Sequence, residues 1–277
     1  MKLENVKVCI LRIEGTNCED ESFQAFKRLG ADPELVHLKQ LTGQDAWDSE
    51  KRDLMDYHIL MIPGGFSSGD YVRAGAIWAA RMKSKLSGPL TDFVKNGHAV
   101  LGVCNGFQVL VELGMLPAME SAMAPVPEAV LATNESSRFE CRPTLLKYEN
   151  KNNCIFTNKI KYGQVLLIPS AHAEGKLLFP AHKADEMYTR LEESNQIVFK
   201  YVDPDGRYAG YPWNPNGSPR NIAGICNPAG NVMGMMPHPE RVFHRYTHPD
   251  WTRGFESELG DGRVIFESVL EHVCAKF

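Results

Sequence analysis

Apolar residues along the chain follow two periods, and the change from one to the other divides the sequence. Residues 6–13 (VKVCILRI) form a short run rich in β-branched side chains, the pattern of a buried strand. In the following stretch, EGTNCEDESFQAFKRLG, Phe23, Phe26 and Leu29 keep helical spacing. Thr16 or Asn17 is placed to cap that helix, Glu19, Asp20 and Glu21 suit its positive end, and Gly30 suits its C-terminus. Residues 34–38 (ELVHL), 57–62 (YHILMI) and 99–103 (AVLGV) read as further strands, the second running into Pro63-Gly64-Gly65. Phe107, Leu110 and Val111 then mark one face of a helix that ends at Gly114. Strands alternating with helices predict a parallel sheet covered on both faces.

Beyond residue 115 the rhythm changes. The apolar runs at 165–170, 196–202, 221–226 and 232–236 are separated by turns rather than long helices, which predicts a smaller, antiparallel part. Two stretches read as ordered loops: 117–137, and 203–220 (DPDGRYAGYPWNPNGSPR). Residues 263–274 form a closing amphipathic helix. With no internal repeat and no linker-like tract, residues 1–277 read as a single domain.

Composition narrows the function classes. The chain has 277 residues, is 43% hydrophobic, and carries a net charge of −4, so no overall positive field draws it to nucleic acid or an anionic membrane. No apolar stretch approaches the roughly 20 residues of a membrane span, and the first residues enter a strand without a signal-peptide pattern. Seven scattered cysteines without a CxxC suggest a reducing, cytoplasmic setting and no structural metal.

The chemistry concentrates at Cys104 in GVCNGFQVL, where a strand gives way to a helix between two glycines. Such a corner lifts a nucleophile out of the sheet, while the helix N-terminus favours thiolate and the N–H of Asn105 points where an oxyanion would form. In GMMPHPER, Pro239 holds His238 extended, and two residues on Glu240 shares its face and can orient the imidazole. Cysteine, base and orienting acid make a nucleophilic triad in the order Cys104, His238, Glu240. Other candidates read more plainly. His244 and His248 lack a third ligand for a metal, Cys18 reads as packing, Cys9 and Cys274 occupy core-like positions, and Arg73 reads as a surface charge.

PGG, GVCNGFQ and PHPE, in this order, resemble the class I (triad) glutamine amidotransferases. GTNCED, PGGFSSGDYVRAG, RFECRP, AHAEG and NPNGSPRNIAGICN narrow the resemblance to the glutaminase subunits of phosphoribosylformylglycinamidine synthases, with motifs spread over residues 15 to 241. The resemblance implies an α/β, flavodoxin-like fold with a central, mostly parallel sheet, helices on both faces and a smaller antiparallel part. It implies Cys104 as nucleophile with His238 and Glu240, and backbone N–H groups of Gly65 and Asn105 as the oxyanion hole. Gln108, Arg138, Phe139 and Glu140 would line the pocket for L-glutamine, and His172 with Glu174 would form a structural or partner-facing element beside it. It further implies ammonia transfer to a synthase subunit, with a small third subunit as a further expected partner. ATP and magnesium are expected on the synthase, in keeping with the absence of a GxxxxGK[ST] phosphate loop here. Ala173 and Ser68 depart from the family pattern, where glycine and an aromatic are usual, and the proline-rich 117–127 segment is longer than in compact members. The rivals are a different class I glutamine amidotransferase, a cysteine hydrolase of similar fold and a silent partner-binding subunit. The loop at 203–220, with Trp213, is expected to touch the synthase.

Overall fold

The computed structural model describes residues 1–254 and 257–277. The chain begins β1 (Lys7–Arg12), α1 (Glu19–Arg28), β2 (Asp32–His37), α2 (Leu38–Thr42), β3 (Ile59–Ile62), α3 (Ala76–Lys95), β4 (Ala99–Val103) and α4 (Asn105–Glu112). It continues through β5 (Val130–Thr133), β6 (Glu140–Tyr148), β7 (Val165–His172), β8 (Glu174–Leu178) and α5 (Ala184–Glu193). The last elements are β9 (Ile197–Val202), β10 (Ile222–Cys226), β11 (Val232–Met235) and α6 (Arg263–Lys276).

One nine-stranded sheet runs in the order β2-β1-β3-β4-β11-β10-β9-β6-β7. Its first five strands are mutually parallel, in the flavodoxin-like arrangement, and the remaining pairs are antiparallel. Strands β5 and β8 form a separate antiparallel ribbon. Strands β3, β4, β10 and β11 are buried along their whole length, which explains their unbroken apolar runs. The crossovers through α1 and α3 step in opposite directions across the sheet, so the right-handed rule puts these helices on opposite faces. Helix α1 packs on α6, with Phe26 edge-on to Phe266 at 5.1 Å, and α3 packs on α4. A contiguous apolar core includes residues from Val6 to Val273. No helix among the described residues is long and apolar enough to cross a membrane.

Several local expectations are revised. Cys18, not Thr16 or Asn17, is the N-cap of α1, and it makes no side-chain cap; the Thr16 hydroxyl instead accepts from the N–H of Ile13 at 3.1 Å. Between the predicted turns of the second half lies a helix, α5, and both proposed loops contain regular structure: β5 in 117–137 and a 3-10 turn at Pro219–Asn221 in 203–220. The loops after β1, β3, β4 and β11 meet at the carboxyl edge of the parallel strands, where open α/β sheets bind ligands.

Candidate active site

Cys104 is the single residue between β4 and α4, at φ 51° and ψ −107°, a conformation L residues rarely hold. The turn is so tight that only glycine fits on either side. A Cβ on Gly102 would lie 2.6 Å from the Gly106 carbonyl oxygen, and one on Gly106 would lie 1.9 Å from that of Ile62. The Cys104 thiol, almost wholly buried, donates to the Ala171 carbonyl at 3.5 Å.

His238 follows β11, its backbone N–H tied to the Pro169 carbonyl at 2.7 Å. The residue is extended, as Pro239 dictates, but the chain then enters a 3-10 turn at Pro239–Val242 rather than continuing extended. Glu240 therefore reaches the imidazole through the turn, and its Oε1 lies 2.6 Å from Nδ1. The imidazole Nε2 is buried and has no hydrogen-bond partner. Gly64 lies between Cys104 and His238: a Cβ there would be 2.7 Å from Cε1 of His238 and 3.3 Å from both Cβ of Cys104 and Sγ of Cys18. Burial disfavours the imidazolium, but the Glu240 carboxylate and the Cys104 sulfur outweigh it and hold the His238 pKa well above the ordinary value.

These groups open into a cavity of about 100 Å³ whose walls include Gly65, Cys104, Gln108, Phe139 and His238. Gly65, at φ +146°, presses against Asn17 and the Gly15 carbonyl, 2.7 to 2.9 Å from where a Cβ would sit. Asn105 is the first residue of α4, so its N–H is among those the helix leaves unpaired. Its side chain does not line the cavity; it accepts from Ser67 N–H (3.2 Å) and donates to Gln108 Oε1 (2.9 Å). Gln108 Nε2 in turn donates to the Glu174 carbonyl at 2.5 Å. The Phe139 ring stands 6.2 Å from that of Phe66 at the rim.

Arg138 and Glu140 depart from the expectation, for neither is among the cavity's lining residues. Arg138 is exposed, and Glu140, at the start of β6, is buried in an ion pair with Arg142. Cys18 is more than packing: it lines the cavity, its sulfur lies 3.9 Å from His238 Nδ1, and Arg241 Nη2 donates to it at 3.2 Å. Arg73 is not a free surface charge, for it grips Glu112 at two points, each 2.6 Å. Ala173 sits outside the left-handed region, so alanine is accommodated where the family favours glycine. His244 stacks on Tyr246 at 4.9 Å, and His248 Nδ1 accepts from Asp250 N–H at 3.1 Å.

Asp70 and Glu174 also line the cavity, as does His172. Burial, then the nearby Glu174, pushes the Asp70 carboxyl up to about 6. Burial and the neighbouring His238 push His172 down to about 3, so its ring is neutral. The only sequence signals for Asp70 and Cys18 were the motifs PGGFSSGDY and GTNCED, to which no chemistry attached.

A family profile described as the CobB/CobQ-like glutamine amidotransferase domain matches residues 5–273. The phosphoribosylformylglycinamidine synthase subunit PurQ of Archaeoglobus fulgidus is 53% identical over 275 residues, covering 99% of both chains. Its counterpart in Picrophilus torridus is 43% identical, over 95% of this chain and 97% of the other. Among solved structures, one from Thermotoga maritima, "Structure of PurLQS", matches with a TM-score of 0.70 and 29% identity, over 97% of this chain and 99% of that one.

Proposed function

Because the chain belongs to the PurQ family of phosphoribosylformylglycinamidine synthase subunits, within the CobB/CobQ-like glutamine amidotransferases, we propose that it hydrolyses L-glutamine to glutamate and ammonia for a synthase partner. The partner would use the ammonia, with ATP, to convert formylglycinamide ribonucleotide to the amidine in purine biosynthesis. The observation that carries this reading is Cys104 at the glycine-flanked corner, sharing Gly64 as a neighbour with a histidine whose far nitrogen is bonded to Glu240.

In this reading His238 Nε2 takes the thiol proton as the Cys104 sulfur attacks the side-chain amide carbon, and the amide oxygen gathers charge against the N–H groups of Gly65 and Asn105. The His238 imidazolium gives its Nε2 proton to the departing nitrogen, which leaves as ammonia and a γ-glutamyl thioester remains. The imidazole then takes a proton from water as its oxygen attacks the thioester, and glutamate departs with the thiol restored. Glu240 holds the ring and stabilises its charge throughout. Gln108 and Phe139 would contact substrate, since both line the cavity. ATP and magnesium would be held by the synthase subunit, a small third subunit would complete the complex, and all would work in the cytoplasm as one amidotransferase domain per chain.

Cys104→Ala tests the separation of the two half-reactions. The assembled complex should lose glutamine-dependent synthesis by about 10³-fold or more and keep synthesis from added ammonium salt. Loss of both with the complex intact would refute it.

A further inference from the structure

The cavity wall holds a second thiol that the triad does not use. Cys18, at the start of α1, is buried, lines the cavity with Cys104 and His238, and makes no cap bond with its side chain. Its Sγ, Nδ1 of His238 and a carboxylate oxygen of Glu240 lie within 4.8 Å of one another, and all three residues are buried. Glu240 is only 5% exposed, and its Oε2 has no hydrogen-bond partner among the described residues.

Sulfur, imidazole nitrogen and carboxylate oxygen together are the donor set that zinc favours. With bonds of about 2.3 Å to sulfur and about 2.0 Å to nitrogen, two ligands of a tetrahedral zinc stand roughly 3.6 Å apart. Sγ of Cys18 and Nδ1 of His238 stand 3.9 Å apart. The 2.6 Å between Nδ1 and Oε1 of Glu240 is the spacing of a hydrogen bond and too short for two ligands of one ion. The carboxylate must therefore pivot, and the unpartnered Oε2 is the oxygen available to turn in. Gly64 leaves space against both other donors: a Cβ there would stand 2.7 Å from Cε1 of His238 and 3.3 Å from the Cys18 sulfur.

One cation already touches the sulfur. Arg241 Nη2 donates to it at 3.2 Å. Arg241 is an exposed residue whose long stem lets its head turn to solvent when an ion takes the thiolate.

We propose that Cys18, His238 and Glu240 form a site for a thiophilic divalent cation, with zinc as the ion to test, and that its occupancy takes His238 out of the triad. The Cys18 thiol and the Nδ1 position give up their protons, the three donors bind the ion, and a water from the cavity completes the tetrahedral shell. The ring then carries its proton on Nε2, so it cannot accept the one that Cys104 must lose, and Glu240 no longer bonds to it. The site itself stands apart from the glutaminase reading, whereas the loss of turnover rests on that reading.

Calorimetry with zinc on the full chain tests the site without turnover. Cys104→Ala should bind zinc within about threefold of wild type, and Cys18→Ser should bind it about 100-fold more weakly or worse. Cobalt(II) in place of zinc reads the ligand directly: a sulfur-to-metal absorption band should appear with wild type and Cys104→Ala and be missing with Cys18→Ser. Zinc should also slow ammonia release from glutamine by the wild type, and a chelator should restore the rate. Zinc binding that survives Cys18→Ser and is lost in Cys104→Ala would put the ion on the nucleophile and overturn the proposal. So would a wild-type chain that binds no zinc, or one that hydrolyses glutamine equally fast with zinc bound. A metal-free complex that releases no ammonia from glutamine, although its chain binds zinc through Cys18, would overturn the glutaminase reading alone.

Discussion

Cys104 and His238 acquire their character from their surroundings: one is held at φ 51°, and the other has its pKa raised against the tendency of its burial. The anion of Glu240 raises the His238 pKa, so neutralising that anion must lower it. Under the proposed mechanism His238 below its pKa is the acid that protonates the departing amide nitrogen, and above that pKa the acid is lost. Glu240→Gln should therefore move the alkaline limb of the pH profile of kcat/KM to lower pH and reduce kcat by roughly 10²- to 10⁴-fold. His238→Ala should cost more. An alkaline limb that stays in place would mean that another group titrates there. Cys104, His238 and Glu240 are legible in the sequence as a candidate triad because each sits in a short motif with its own local reason: glycines around Cys104, and a proline between His238 and Glu240. Cys18 is not, because its contact with His238 joins residues 220 positions apart. The sequence hides Asp70 for a similar reason, since its setting depends on Glu174 from the other half of the chain.

The strand-to-helix corner from β4 into α4 shows what an element can demand of one atom. Gly106→Ala would drive a methyl group into the Ile62 carbonyl, a backbone atom of β3 that cannot step aside. We expect a loss of stability of about 3 kcal/mol or more, visible as a lower melting temperature. Gly64→Ala differs in kind, for its methyl meets chiefly the ring of His238. That variant should melt near wild type yet lose glutaminase turnover by about 100-fold or more; a full loss of fold would show that Gly64 serves the scaffold first. Elements with clean periodicity (β1, β3, β4 and α4) were readable from the sequence. Helix α3 was not, because Gly88 and Pro89 interrupt its pattern even though Trp78, Leu86, Leu90 and Phe93 anchor it in the core. Strand β6 was masked by Glu140, Arg142 and Pro143, the last facing Pro169 across the ladder. Tertiary packing overrode local propensity in both.

At the scale of the molecule, the site lies where the parallel half of the sheet meets the antiparallel half, so its residues come from both. The 203–220 loop is divided in the same spirit. Asn214 and Asn216 brace Ser218, whose hydroxyl links to Leu177 and Gly175 on β8. The stretch before them carries Tyr208, Tyr211 and Trp213 at the surface, with the Arg142 guanidinium 4.9 Å from the Tyr211 ring. Trp213→Ala should weaken binding to the synthase partner about 10-fold or more while the isolated chain keeps its melting temperature; unchanged affinity by calorimetry would assign the indole to the chain's own packing. The small cavity has a consequence of another kind. At about 100 Å³ it suits one small amino acid, whereas a nucleotide-sized ligand occupies a cleft of roughly 300 Å³ or more. Under the proposed function, the nitrogen must therefore travel between two rooms as a loose molecule with nothing covalent to steer it. Its safe arrival depends on timing. Ammonia released before the acceptor is in place takes up a proton from water and is lost as a nucleophile, so the order of events must be enforced by how the subunits meet.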